Sequence, residues 1–229
     1  METKIAVVGG TGAEGSGFAL RFAKAGARIF IGSRSAEKAR EAARSLSATA
    51  GAGEITGHTN ADAAAEAAIV LLTVPLAAQV EILKSIRGSL KPGTTLVDAT
   101  VPLEVAIGGR VSRTVSLWDG SAAQQAARLV PEGVSVVAAF HGLSAEALAH
   151  PGEPIDCDTL ICGDNAEAKA HVRELASLIP GVRTIDAGPL DNARMLESAA
   201  ALLISLNLRY KVKASGLRIT GLNLPGVPA

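Results

Sequence analysis

Six residues close to the N-terminus constrain the chain more than any other stretch. Gly10-Thr-Gly12-Ala-Glu-Gly15 follows directly on the β-branched run Lys4–Val8, and after it Phe18, Leu20, Phe22 and Ala23 form an apolar, helix-compatible face that stops at Gly26. The G-x-G-x-x-G spacing says little by itself in a chain with 24 glycines. Between a strand and a helix it describes a dinucleotide-binding turn. Gly10 then permits the tight turn, Gly12 lets the backbone approach a pyrophosphate, and Gly15 lets helix and strand pack closely. The helix N-terminus offers free N–H groups and its positive dipole end to the anion. Gly9 and Gly17 are expected to keep the same surface bare of side chains.

The remaining pattern repeats strand, turn and helix. A strand at 28–32 is followed by Ser35, placed to cap a helix in which Ala39, Ala42, Ala43 and Leu46 recur on one face, and 50–53 closes it. Further strands are expected at 69–74, 94–98 and 134–140, apolar enough for a sheet buried on both faces. Ser121 with Gln124, and Asp164 with Glu167, have capping-box spacing. A late βαβ unit (159–162, 165–179, 182–186) leads into a long helix over 190–213. This alternation predicts an α/β fold built on a doubly wound parallel sheet, and 229 residues suit one domain plus a smaller lobe.

Composition removes several classes. Twenty-two Lys and Arg balance 22 Asp and Glu, so bulk charge gives no reason to expect nucleic-acid binding. The longest apolar run, 67–78, is too short for a membrane span and contains Thr73 and Pro75. The first residues show no basic leader with an apolar core, so a cytoplasmic protein is expected. Cys157 and Cys162 have no His or further Cys at ligand spacing; both read as buried thiols, and no metal is expected.

The end of the second strand selects the dinucleotide. An NAD site places Asp or Glu there, roughly twenty residues beyond the glycines, to hold the ribose hydroxyls. Here the chain reads Gly32-Ser33-Arg34. Ser33 and Arg34 can hydrogen-bond a 2′-phosphate, and Lys38, one helical turn on, adds positive charge. NADP(H) is therefore expected.

These residues, from Val7 to Gly15 and Gly32 to Arg34, together with Cys162-Gly-Asp164, the run from Asp186 to Arg194 and Glu197, resemble the NADPH-dependent reductases of the deazaflavin coenzyme F420, the F420:NADP oxidoreductases. The resemblance continues through Asn207, Arg209-Tyr-Lys211 and the run from Gly216 to Gly221. It implies a Rossmann-type NADP-binding domain over 1–139. A smaller C-terminal α/β lobe over 140–229, ending in a long helix, would complete a deazaflavin cleft. By position, Thr11 and the backbone of Gly12, Ala13 and Glu14 would face the pyrophosphate beside Gly10 and Gly15. Ser33, Arg34 and Lys38 would face the 2′-phosphate. Thr73, Val74 and Pro75, with Val101 and Pro102, would line the nicotinamide cleft, and His141 would lie on the deazaflavin side.

The implied reaction is reversible hydride transfer between NADP(H) and coenzyme F420. Such a transfer needs orientation and a dry cleft rather than an acid, base or metal, so no catalytic side chain is assigned. NADPH-dependent reduction of another acceptor (flavin, carbonyl or imine) and a non-catalytic NADP sensor are the alternatives. A carbonyl reductase would want a proton donor such as a Tyr–Lys pair, and the adjacent Tyr210 and Lys211 lie far past the cofactor strands.

Two expectations concern the last helix. Arg194 and Glu197, three apart, read as an intrahelical ion pair. Leu196, Ala199, Ala200, Leu202, Leu203, Ile204 and Leu206 surround most of its circumference, more than a small lobe can cover, which points to a homodimer. The basic end at 209–213 complements the helix C-terminus.

Overall fold

The structure, a computed structural model, describes residues 3–51 and 53–222. Six parallel strands, β1 (Lys4–Val8), β2 (Arg28–Ser33), β3 (Ile55–Thr59), β4 (Ile69–Leu72), β5 (Thr95–Asp98) and β6 (Ser135–Ala138), form one sheet in the order β3-β2-β1-β4-β5-β6. The direction of winding reverses between β1 and β4. That is the place where open α/β sheets leave a crevice at the carboxyl ends of their strands.

Alternation along β1 shows why the strands read as continuously apolar. Ile5 and Val7 pack on one face against Phe18 and Phe22 of α1 (Ala13–Lys24) and Ala39 of α2 (Ala36–Ala50). Ala6 and Val8 pack on the other, against Ala63 of α3 (Asn60–Glu66) and Leu83 and Ile86 of α4 (Leu76–Ile86). Both faces are covered, so neither needs polar residues. The helix α5 (Ala122–Leu129) precedes β6.

The second half adds α6 (Ala145–Leu148) and a two-stranded parallel sheet of β7 (Cys157–Ile161) and β8 (Val182–Asp186), joined by α7 (Ala166–Ser177). Val172 and Leu175 of α7 belong to the same apolar cluster as Ile5 and Phe18. The last helix, α8 (Ala193–Tyr210), ends where Lys211 turns left-handed at φ 54°. No described helix is long and apolar enough to cross a membrane.

One buried cation ties the halves together. Arg21 of α1 donates to four backbone carbonyls, those of Ala147 and His150 at 2.7 Å, Glu153 at 3.0 Å and Leu148 at 3.2 Å. The guanidinium thus gathers the carbonyls at the end of α6 and in the turn that follows it, two of which, Ala147 O and His150 O, also accept from the backbone N–H groups of His150 and Glu153. Gly17 serves the same joint, since a Cβ there would lie 2.6 Å from that of Leu148. Its bareness is a packing requirement of α1 against α6, not an extension of the anion-binding surface.

Several boundaries differ from the sequence reading. Strand β3 was not among the expected strands; Gly57 sits in its middle, where a Cβ would come within 2.2 Å of the Arg40 nitrogen, so the glycine admits α2 close to the sheet. Asn165, not Asp164, caps α7 by accepting from Ala168 N, and Asp164 instead accepts from Leu190 N at 3.0 Å. Ser121 caps α5 as expected; Gln124 turns back so that its Oε1 accepts from Ser121 Oγ at 3.0 Å, and its Nε2 donates to Asp191 at 2.8 Å. The 190–213 helix opens as a 3-10 turn, Leu190–Asn192, and stops at Tyr210. Strands β4 and β6 end two residues short of 74 and 140, leaving Thr73 to Pro75 and Ala139 to His141 as loops at the carboxyl edge.

Candidate functional site

At the head of β1 the glycine turn divides its tasks among its members. Gly9 takes the positive φ of 82°, and Gly10 is confined because a Cβ would meet Val7 O at 2.8 Å. A Cβ on Gly15 would strike Thr73 Oγ1 at 2.6 Å, so that glycine lets α1 pack on the strand ends. Gly12 is different. It has an ordinary extended backbone, and the nearest atom to an added Cβ, Gly9 O, is 3.5 Å away. Nothing in the protein needs a glycine there; a ligand lying against the backbone would. The first turn of α1 has no side-chain cap, so its N–H groups remain available to an anion. The residues present fit a dinucleotide pyrophosphate.

The carboxyl end of β2 carries Ser33, whose Oγ accepts from Ser35 N at 3.4 Å, while Ser35 Oγ caps α2 through Lys38 N at 3.3 Å. Arg34 and Lys38 are exposed. Among the described residues neither forms an ion pair, and no carboxylate occupies the strand end.

From the glycine turn a cleft of about 600 Å³ runs across the carboxyl edge of the sheet. One wall comes from Gly12, Ala13 and Glu14, another from Thr73, Val74 and Pro75 with Val101, and the far wall from His141 to Ala145 and from Leu203, Ile204 and Asn207 of α8. The lining is mainly apolar with a few polar groups, the usual character of a small-molecule site. Pro102 is not brought to it; it is buried and lines a neighbouring groove with Val115 and Met195. Glu14 is half-buried on the cleft wall, which pushes its carboxyl up to about 7.

His141 owes its place to a strained neighbour. Phe140 is left-handed at φ 70°, rare for a bulky residue, and its ring is fully buried against Phe18 at a centroid distance of 5.0 Å. The aromatic packing holds the turn, and His141 follows on the cleft wall. Burial pushes its pKa down to about 4, with the Thr100 backbone pulling the other way, so the ring is neutral at pH 7. Neither ring nitrogen has a well-aligned hydrogen-bond partner among the described residues. Buried polar atoms of this kind are normally satisfied, which makes the His141 ring a candidate contact for a ligand in the cleft.

Behind the Val101 wall lies a polar network that sequence reasoning missed. Asp98, at the end of β5, accepts from Thr100 N at 2.7 Å and from Gln79 Nε2 at 2.6 Å, which fixes the turn carrying Thr100 and Val101. Glu197 is only 1% exposed and accepts from Ala122 N at 3.0 Å and Ala123 N at 3.1 Å. It therefore holds the N-terminus of α5, and the expected ion pair with Arg194 is absent because burial turns the carboxylate inward, away from that exposed guanidinium. Burial, reinforced by the neighbouring Asp98 charge, raises the Glu197 carboxyl to about 8 against the pull of its two backbone donors. The signal available in the sequence was the helical position of Glu197, one residue after Leu196 and three before Ala200 on the apolar face. The described residues contain no cluster of His, Cys, Asp and Glu able to hold a metal, and Cys157 and Cys162 are buried free thiols.

Residues 4–102 match the family model for coenzyme F420-dependent NADP oxidoreductases. The F420-dependent NADP reductase of Methanothermobacter thermautotrophicus is 51% identical over 98% of this chain and 97% of its own length. That of Methanocaldococcus jannaschii is 42% identical over 96% of this chain and its whole length. A solved structure of a protein assigned as an F420-dependent NADP reductase in Arthrobacter sp. FB24 superposes with a TM-score of 0.79 at 26% identity, covering 95% of this chain and 99% of that one. An Aspergillus terreus reductive aminase in complex with NADPH shares the fold alone, with a TM-score of 0.60 at 19% identity and 92% and 64% coverage.

Proposed function

From the premise that the chain belongs to the family of F420-dependent NADP reductases, we propose how its residues divide the work of moving hydride between NADP(H) and coenzyme F420. When both are bound, NADPH supplies a hydride and the deazaflavin accepts it at the carbon that replaces a flavin's central nitrogen. The observation that carries the division is the cleft joining the uncapped α1 N-terminus to the His141 wall.

Gly10 to Gly15, including Thr11, receive the pyrophosphate, and Ser33, Arg34 and Lys38 receive the 2′-phosphate. Thr73, Val74, Pro75 and Val101 present a mainly apolar surface that excludes water and orients the reacting rings. His141 offers neutral ring nitrogens to the acceptor. No side chain is asked to move a proton. Residues 1–139 thus act as the NADP-binding part and 140–229 as the acceptor part, of which 223–229 lie outside the described residues. Mixing enzyme, NADPH and oxidised F420 should bleach the visible deazaflavin absorbance; a folded protein that binds NADPH yet leaves it unbleached and reduces another acceptor contradicts the reading.

Arg34→Ala should weaken NADPH binding by about tenfold to a hundredfold, the worth of roughly 1.5–3 kcal/mol for a hydrogen bond to a charged group. NADH binding should be nearly unchanged. Equal losses for both dinucleotides in a titration would remove Arg34 from the 2′-phosphate site.

The chain also works as a homodimer in the cytoplasm, where buried free thiols stay reduced. What supports the dimer is a stripe on α8 in which Met195 is 57% and Leu202 55% exposed, beside a loop whose Trp118 is 99% exposed. Leu203, in contrast, is buried on the cleft side of the helix. Leu202→Glu, not a change at Leu203, is therefore the variant to compare by light scattering: the wild type should be a dimer at micromolar concentration and the variant a monomer. A monomeric wild type removes the dimer from the proposal.

A further inference from the structure

Beyond α8 the chain turns back across the acceptor half. Its first residues are tied to the cleft wall: Ser144 Oγ donates to Lys213 O at 2.9 Å, Ser215 N donates to Asn207 Oδ1 at 3.0 Å, and Ser215 Oγ donates to Leu203 O at 3.3 Å. Lys213 and Ser215 themselves line the cleft. Leu217 lines a small cavity together with His141, Leu160 and Leu196. Gly216 is seated so closely that a Cβ would lie 3.0 Å from Cys157 Sγ.

The far end of this segment is fastened to β7 by a buried carboxylate. Asp158 N donates to Leu217 O at 2.7 Å, and Asp158 Oδ2 accepts from Ile219 N at 2.6 Å. Arg183 grips the same carboxylate with Nε at 2.6 Å and Nη2 at 2.7 Å, and Arg218 adds Nη1 at 2.7 Å while also pairing with Asp156. Burial alone would raise the Asp158 carboxyl, yet Arg183, the Ile219 N–H and Arg218 hold it down at about 2. None of these partners belongs to the glycine turn, β2 or α2.

We propose that residues 213–219 form a strap that sets the width of the acceptor half of the cleft, and that Arg218 is a positioning residue that holds the strap in place through Asp158. This rests on assigning that half to the deazaflavin. Arg218 is the informative position because removing it leaves Asp158 paired with Arg183, so no buried charge is stranded.

The test uses full-length Arg218→Ala, Arg218→Lys and Leu217→Ala, with NADPH affinity from a fluorescence titration and steady-state kinetics with F420. Arg218→Ala and Leu217→Ala should each raise the KM for F420 by about tenfold, the scale of one lost charged anchor, and leave kcat little changed and NADPH affinity unaltered. Arg218→Lys should recover part of the loss, because an ammonium can reach Asp158 without matching the guanidinium fork. An unchanged KM in both alanine variants overturns the strap, and so does a KM that rises only in step with a weakened NADPH affinity. A wild type that fails to bleach F420 overturns the substrate assignment instead, and is recognised because all four proteins then fail alike.

Discussion

Replacing Val101 by tryptophan should lower turnover with F420 by about a hundredfold or more while NADPH, measured by direct binding, is still held. Val101 stands on the cleft wall at a turn that cannot easily yield, since Asp98 fixes Thr100 N at 2.7 Å and is itself held by Gln79 at 2.6 Å. The indole would have to enter the cleft. Hydride transfer needs the reacting carbons about 3–3.5 Å apart, and a misplacement of roughly 1 Å can cost about 10²-fold. The glycine turn and the Arg34 region lie elsewhere, on β1, α1 and the end of β2, so the residues proposed to receive the phosphates are untouched. Stopped-flow bleaching of the deazaflavin, with an NADPH titration on the same preparation, reads the two effects apart. A variant that keeps wild-type turnover would show that Val101 does not face the acceptor.

The second large effect should be on stability. Arg21→Met keeps the aliphatic bulk on α1 but withdraws the charged donors to the carbonyls of Ala147, Leu148, His150 and Glu153, of which Ala147 and His150 keep a backbone donor. A hydrogen bond to a charged group contributes about 1.5–3 kcal/mol, and a buried acceptor left without a partner costs about 1–3 kcal/mol. The terms overlap, so a loss on the order of 3–5 kcal/mol is expected rather than their sum. For a chain of this size that corresponds to a drop in Tm of roughly 10 °C. Differential scanning calorimetry measures it directly; a change below about 1 kcal/mol would mean that water replaces the guanidinium at those carbonyls.

Much of the framework was legible because it rests on local rules. The glycine turn, the Ser35 cap and the period of the apolar residues are properties of a few neighbouring positions, and β1, α1, β2 and α2 appear where those rules put them. The acidic residue missing after β2 is likewise a local fact, which is why the expectation of NADP could be stated from Gly32 to Arg34 alone. Where a local rule was in conflict with packing, packing prevailed. Arg194 and Glu197 had ideal spacing for an ion pair, yet the free N–H groups of α5 took the carboxylate.

The sequence by itself determined the alternation of strands and helices apart from β3, the glycine turn and the charge at the end of β2. Each depends on residues a few positions apart, whose geometry follows from backbone sterics and side-chain period. Only the tertiary structure decided which parts meet at the cleft. It alone brought Val101 from beyond β5, His141 from beyond β6 and Leu203 from α8 onto one cavity, and turned Pro102 away from it. It alone joined Arg21 to a loop 126 to 132 residues later and fastened Arg218 to Asp158. Such contacts depend on how whole elements pack and on which buried polar groups have no other partner, and a one-dimensional pattern carries neither quantity.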